Sequence, residues 1–192
     1  EQIYLWTEIS GTICVSQQAD QTLANADSES PAISGDGSWV VFVSSATNLV
    51  ANDTNGYKDV FCYQVPTGQI NRVSISSDQV QSNQDCINPS VSSDGRFIVF
   101  ESTASNLATS AEQELLNVFV HDRQTGITQL VSQSESGTNE GIIARQARIS
   151  PNGKSIVFVS ASQDLVASLS DESNLTGDKE SIFLVANPPR PN

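Results

Sequence analysis

The chain has 192 residues, 38% of them hydrophobic, with 22 acidic and 9 basic residues and a net charge of −13. This length is enough for one sizeable core. The charge excludes a nucleic-acid-binding surface, because phosphate binding needs clustered Lys and Arg. It also disfavours an anionic membrane surface, and no apolar run is long enough to insert into a bilayer.

The sequence contains no methionine, and no signal peptide begins at Glu1. A chain without its own start methionine has been processed or is a fragment, and removal of an export signal is the simplest account. We therefore expect a secreted protein, extracellular or periplasmic. Cys14, Cys62 and Cys86 are too few for a disulfide scaffold. They are expected either to form one disulfide and one free thiol or to act as small buried hydrophobes.

A repeat with a period of 58 residues organises the chain, as the spacing of Gly37, Gly95 and Gly153 shows. Residues 31–74 and 89–132 share 16 identities in 44 positions without a gap. Chance would give roughly two or three, so the repeat is a strong signal of a repeat architecture.

Each unit is predicted to contain four strands, A to D, in chain order. Strand A is short, and an Asp-Gly or Asn-Gly turn leads from it into strand B. Strand B is continuously apolar, which predicts burial on both faces. The predicted B strands are Trp39–Ser44, Phe97–Ser102 and Ser155–Ser160.

Strand C follows, and a Thr-Gly turn then leads to strand D. The predicted C strands are 60–65, 118–123 and Ser181–Ala186. Residues 2–16 are a degraded copy of strands C and D, one residue shorter than the others.

Antiparallel units of this length, buried on both faces, describe all-β, propeller-type four-stranded blades. A β-solenoid is the alternative, but its period is usually about 20–30 residues. We predict one repeat domain over residues 1–192. It comprises a partial blade (1–18), two repeats (31–77 and 89–135) and a second partial blade (147–188).

The motif of Ser, any residue, Asp-Gly, two residues, Val or Ile, then Val-Phe occurs at Ser34–Phe42 and Ser92–Phe100. It resembles the Pro-Asp-Gly repeat of TolB-like β-propellers, whose blades are similar to Trp-Asp repeats. The extended unit resembles the long-repeat variety found in secreted bacterial proteins. The resemblance implies binding of other proteins. Similar repeats occur in prolyl oligopeptidase-type peptidases, whose nucleophile lies in a separate hydrolase domain for which this chain has no room.

Few residues suggest chemistry. The single histidine, His121, lies in strand C with Asp122 on the opposite face of the strand, and we assign it to blade packing or the surface. No nucleophile elbow of the type Gly-x-Ser-x-Gly is present. Asp36 and Asp94 are interpreted as turn residues, because Asp before Gly can bond its own backbone.

Calcium is the sharpest hypothesis for a small ligand. Asp53, Asn55 and Asp59 surround Gly56 and offer the oxygen ligands that Ca²⁺ prefers. The distal Glu of an EF-hand loop is missing, so the alternative is a polar surface turn. No other cofactor is expected.

The predicted strands amount to about three blades, whereas a closed ring needs at least four. The chain is therefore a fragment of a longer propeller, or two chains close a ring, or copies join head to tail into a filament. Open blades expose strand edges and apolar faces that recruit partners. The residues expected to mediate assembly lie at the two ends of the chain: Ile3, Tyr4, Leu5, Trp6, Ile13, Cys14, Val15, Ile182, Phe183, Leu184 and Val185.

We accordingly predict a secreted structural or interaction protein that has no catalytic activity and associates with copies of itself. The alternative is a TolB-like module that binds a protein or peptide, such as another extracellular protein. A propeller-based hydrolase or lyase is a third hypothesis, which would require acids with His121 or an arginine at the axial mouth.

Overall fold

A computed structural model describes residues 1–109, 111, 114–134, 141–162, 165 and 181–186, the last segment without the side chains of 181, 183 and 186. The fold is all-β, as predicted, and no segment of these residues forms a helix that could cross a bilayer. The described residues form thirteen strands: β1 (Tyr4–Thr7), β2 (Gly11–Cys14), β3 (Ser28–Ile33), β4 (Trp39–Ser44), β5 (Asp59–Gln64), β6 (Gln69–Arg72), β7 (Cys86–Val91), β8 (Phe97–Ser102), β9 (Asn117–Asp122), β10 (Ile127–Leu130), β11 (Ala144–Ile149), β12 (Ser155–Ser160) and β13 (Ser181–Ala186).

The strands form separate antiparallel sheets in chain order. The N-terminal hairpin is β1–β2, the first sheet is β3–β6, the second sheet is β7–β10 and the third sheet is β11–β13. The three predicted B strands coincide with β4, β8 and β12, whereas the first two C strands begin one residue earlier than predicted. The four-stranded, propeller-type blade is thus confirmed.

Apolar faces of consecutive sheets pack against one another and make the core. One cluster joins Val41 and Cys62 of the first sheet to Phe100 and Phe119 of the second sheet. A second cluster joins the second sheet to the third, and a third cluster joins the hairpin to the first sheet. Strand B is buried on both faces in β4 and β8, as predicted.

The hairpin occupies the place of a blade that precedes the first sheet. At each junction the first residue of strand A donates its backbone N–H to a carbonyl just before strand C of the preceding unit. The three bonds are Ser28 N to Glu1 O (3.1 Å), Cys86 N to Lys58 O (2.8 Å) and Ala144 N to Leu116 O (2.8 Å). The prediction that residues 2–16 copy strands C and D is therefore confirmed.

Strand A has a feature that residue types did not predict, a bulge at the same point in all three copies. The bulge residues Ser30, Asn88 and Gln146 have φ values of 52°, 52° and 55°. They are spaced by 58, and the pairing with strand B shifts register at each of them. The left-handed backbone is set by the blade, since three different side chains adopt it.

The three bulges differ in whether the next residue has a backbone N–H that needs a hydrogen-bond acceptor. Pro31 and Pro89 follow the first two bulges and have no N–H to satisfy, whereas Ala147 follows the third. The Ala147 N–H donates to Oε1 of Glu101 at 2.9 Å, and Asn88 Nδ2 donates to Oε2 of the same carboxylate at 3.1 Å. Glu101 is completely buried. One repeat earlier, Val43 stands at the position of Glu101 and Pro89 stands at the position of Ala147. A buried carboxylate therefore appears at the junction where an N–H needs an acceptor.

We predict that Glu101→Val lowers the free energy of unfolding by about 2 kcal/mol, because the Ala147 N–H loses its buried acceptor. Adding Ala147→Pro should restore most of this loss and recreate the combination of Val43 and Pro89. Gln146 already has the backbone conformation of the residues that precede the other two prolines. Urea unfolding of both single variants and the double variant gives the coupling energy. Simple addition of the two effects would contradict the pairing.

Candidate functional site

The outer face of the third sheet is a blade surface with no sheet on it in the described chain. Its strand C residues Ile182 and Leu184 are 79% and 71% exposed. The same repeat positions are Val60 and Cys62 in the first sheet, both 0% exposed, and Val118 and Val120 in the second, 0% and 3% exposed. Val157 of β12 is also exposed. The predicted burial of strand B on both faces is therefore wrong for this copy, because no further sheet within the described residues covers it.

The outer face of the N-terminal hairpin is the second bare surface. Tyr4 and Trp6 are 62% and 69% exposed. Their repeat equivalents in the first sheet are Phe61 and Tyr63, which are buried beneath the hairpin. The three equivalent turn glycines show the same difference. The rings of Trp39 and Phe97 lie against Gly95 and Gly153, whereas no atom lies within 4 Å of the point where a Cβ on Gly37 would be.

The two bare faces are of opposite type. At the junction of the first and second sheets, Val60 and Cys62 of one strand C share a cluster with Phe119 of the next. Ile182 and Leu184 occupy the positions of the first pair, and Tyr4 occupies the position of Phe119. The third sheet therefore presents the face that an interior blade packs onto the next blade, and the N-terminal hairpin presents the face that receives a preceding blade.

Of the eleven residues expected to mediate assembly, some pack inward and others are exposed. Ile3 and Val15 are buried against the first sheet, and Leu5 and Ile13 are partly buried there. Cys14 is partly exposed, with Sγ 3.7 Å from Ser16 Oγ. Val185 packs inward on the second cluster, and the side chain of Phe183 lies outside the described part. The outward set is Tyr4, Trp6, Ile182 and Leu184.

The predicted calcium ligands surround an arginine. Arg72 Nη1 donates to Asp53 Oδ1 at 3.0 Å and to Asp59 Oδ2 at 2.9 Å, and Asn55 Nδ2 donates to Asp59 Oδ2 at 3.0 Å. Burial raises the pKa of Asp53 although Arg72 opposes the shift. No group of three or more His, Cys, Asp or Glu in the described residues is arranged to hold a metal ion. The calcium site stays a prediction, and Arg72 is the cation that Ca²⁺ would have to displace.

His121 is buried between the first and second sheets. Its Nδ1 lies 2.9 Å from Thr128 Oγ1, whose hydroxyl donates to Ile75 O, so Nδ1 carries the proton. Burial lowers the pKa of His121 to about 4. The carboxylate of the neighbouring Asp122 accepts a hydrogen bond from Arg96 Nε at 2.8 Å. His121 is thus a neutral packing group at pH 7.

The remaining candidate residues belong to the scaffold. Asp36 Oδ1 accepts hydrogen bonds from Ser34 Oγ (2.6 Å) and Ser38 N (2.9 Å), and Asp94 is bonded in the same way. Both act in the turns, as interpreted from the sequence. The three cysteines are free thiols, and burial raises the pKa of Cys62 and Cys86 to about 12.

Sequence reasoning missed Arg72 and Glu101, two buried side chains that fix their neighbours by hydrogen bonds. The signal that could have found them is departure from the repeat. The equivalent of Arg72 in the second sheet is Leu130, where Asn117 replaces Asp59 and Ala111 replaces Asp53. A base and its two acids are therefore gained or lost together.

No protein-family model and no curated protein matches the chain. Solved structures do. TolB from Acinetobacter baumannii is 16% identical with a TM-score of 0.51, over 95% of this chain and 34% of that chain. The β-propeller domain of the Trilobed protease from Pyrococcus furiosus is 13% identical with a TM-score of 0.50, over 84% of this chain and 39% of that chain. The tricorn protease is 12% identical with a TM-score of 0.53, over 83% and 13%.

These likenesses show that the fold is a TolB-like β-propeller fold, and the chain spans less than two fifths of each of these structures. They also correct one expectation. We expected a protein without catalytic activity, but the same fold occurs in two proteases, so that expectation is overturned. Identities of 12–16% show the fold alone.

We predict that Arg72→Leu destabilises the chain by about 3 kcal/mol or more, because it leaves two carboxylates buried beside each other. The triple variant Arg72→Leu/Asp53→Ala/Asp59→Asn recreates the second sheet's residues and should recover most of the loss. Thermal unfolding of both variants measures this. A triple variant no more stable than the single variant would contradict the account.

We also predict a pH dependence set by His121. Its folded pKa of about 4 lies below the ordinary 6.5, so between these values only the unfolded chain binds the proton. The free energy of unfolding should therefore fall as pH drops from 6.5 to 4, by up to about 3 kcal/mol. His121→Tyr, which copies Tyr63, should remove this component of the slope. Equal slopes for wild type and variant in urea unfolding would count against a buried neutral imidazole.

Proposed function

We propose that the chain is a protein-interaction module that associates with a second copy of itself through two terminal faces, the outer face of the N-terminal hairpin (Tyr4 and Trp6) and the outer face of the third sheet (Ile182 and Leu184). The observation that carries this proposal is the exposure of Ile182 and Leu184, at repeat positions that are buried in both interior junctions. Covering a bare apolar face stabilises the blade, because burial of each such side chain contributes about 1.5–3 kcal/mol.

The proposed contact places Tyr4 and Trp6 of one copy on Ile182 and Leu184 of another. It repeats the strand C to strand C packing that joins the first and second sheets. The contact is heterologous, since different surfaces meet. Two copies close a ring if the rotation permits, and otherwise a filament grows.

The strand edges support the same arrangement. β13 pairs with β12 on one side and has no strand D on its other side among the described residues. In the part of the chain that the structure describes, β1 and β2 of the hairpin pair only with each other. Both ends therefore offer backbone groups as well as apolar surface. An extracellular or periplasmic location is part of the proposal, supported by the acidic charge and the lack of a basic run.

We predict that the 20.5 kDa chain sediments as larger species as its concentration rises, and that Leu184→Glu shifts it toward monomer. Val80→Glu is the matched control, because Val80 is exposed on a loop away from both faces and gains the same charge. Analytical ultracentrifugation measures both. A monodisperse wild-type monomer, or equal association of wild type and Leu184→Glu, would overturn the proposal.

Mixing tests whether the two faces meet each other. Trp6→Lys and Leu184→Glu should each weaken association alone, and an equimolar mixture should regain it, because the altered faces carry opposite charges. A mixture that stays monomeric would contradict the proposed contact between the two faces.

A further inference from the structure

A polar cleft lies beside the first strands of the three sheets, β3, β7 and β11. Its volume is about 430 Å³, and it is lined by β3 and β7 together with Arg148 of β11. Ile33 offers an exposed apolar side chain in this lining, and Pro31 and Pro89 belong to it as well. Arg148 is the one charged residue among those that line the cleft.

Arg148 departs from the repeat in a way that the scaffold does not require. The equivalent residues are Ala32 and Ser90, two small side chains that also line the cleft. A small residue is therefore sufficient for blade packing at this position. An arginine there places a positive charge in the cleft of a chain whose net charge is −13.

The guanidinium of Arg148 is held in place without being neutralised. Nη1 donates to Ala147 O at 2.7 Å, and no carboxylate pairs with Arg148 within the described residues. The Ala147 backbone is in turn fixed by its N–H bond to the buried Glu101. Three other arginines are engaged: Arg72 with Asp53 and Asp59, Arg96 with Asp122, and Arg123 over the Trp39 ring at 3.3 Å.

We propose that this cleft binds a peptide carboxylate through Arg148, with an apolar residue of the peptide against Ile33. A guanidinium presents its donors in a planar fork that matches a carboxylate. The fixed backbone beneath it reduces the ordering cost of binding. The carboxylate is either the C-terminus of a peptide or an acidic side chain within it, and both present the same group to Arg148. This site is separate from the terminal faces, so it does not depend on self-association.

Calorimetric titration in 50 mM salt tests the proposal with three synthetic peptides. The first is acetyl-Gly-Ala-Pro-Ala-Val with a free C-terminus, the second is its C-terminal amide, and the third is the amide of acetyl-Gly-Ala-Asp-Ala-Val. At least one carboxylate peptide should bind at least tenfold more tightly than the uncharged amide, and which one binds identifies the source of the carboxylate. Higher salt should weaken the binding.

The variant Arg148→Ser copies the Ser90 position and should weaken this binding at least tenfold while leaving the melting temperature unchanged. Lys154→Ser, which removes an exposed base from the turn of the same sheet, is the matched control and should bind as wild type does. The proposal is overturned if neither carboxylate peptide binds, if the uncharged amide binds equally well, or if Arg148→Ser binds like wild type.

Discussion

The requirement that both faces of each apolar sheet be covered governs this structure. A four-stranded blade carries Val, Ile and Phe on alternate sides of strands B and C, so it becomes stable only between two neighbours. Interior positions such as Val60 and Val118 satisfy this requirement and are completely buried. The outer faces of the hairpin and of the third sheet do not meet this requirement, since Tyr4, Trp6, Ile182 and Leu184 are exposed there.

Where one repeat copy differs from another, the residues that differ usually contact each other and change together. Such matched changes belong to the scaffold, and an unmatched change stands apart from it. Glu101 appears where Ala147 replaces a proline, and Arg72 appears with Asp53 and Asp59. Another set is joined by hydrogen bonds and comprises Ser77, Thr128 and His121. One repeat earlier, the same positions are Ala19, Ile70 and Tyr63. Each set compensates internally, so each contributes to packing. Arg148 has no compensating carboxylate among the residues that the structure describes, and on this difference we base the proposal that it meets a ligand.

Much of the fold could be predicted from the sequence, because the Asp-Gly turns and the continuous apolar runs are local signals. These signals placed β4, β8 and β12 to the residue. The bulges at Ser30, Asn88 and Gln146 could not be predicted, since their left-handed backbone is imposed by neighbouring sheets and not by residue type. For the terminal residues, alternation along a strand indicated two faces, but only the packing of the hairpin showed that Ile3 is buried and Tyr4 exposed. The pairing of Arg72 with Asp53 joins residues 19 apart in sequence and has no local signal.

The most direct test of the central claim is a high-resolution electron cryomicroscopy structure of the associated species. We expect Tyr4 and Trp6 of one copy to lie against Ile182 and Leu184 of the next, with the strands C of the two copies packed as in the interior junctions. Copies joined through any other surface, with these four side chains still exposed to solvent, would contradict it.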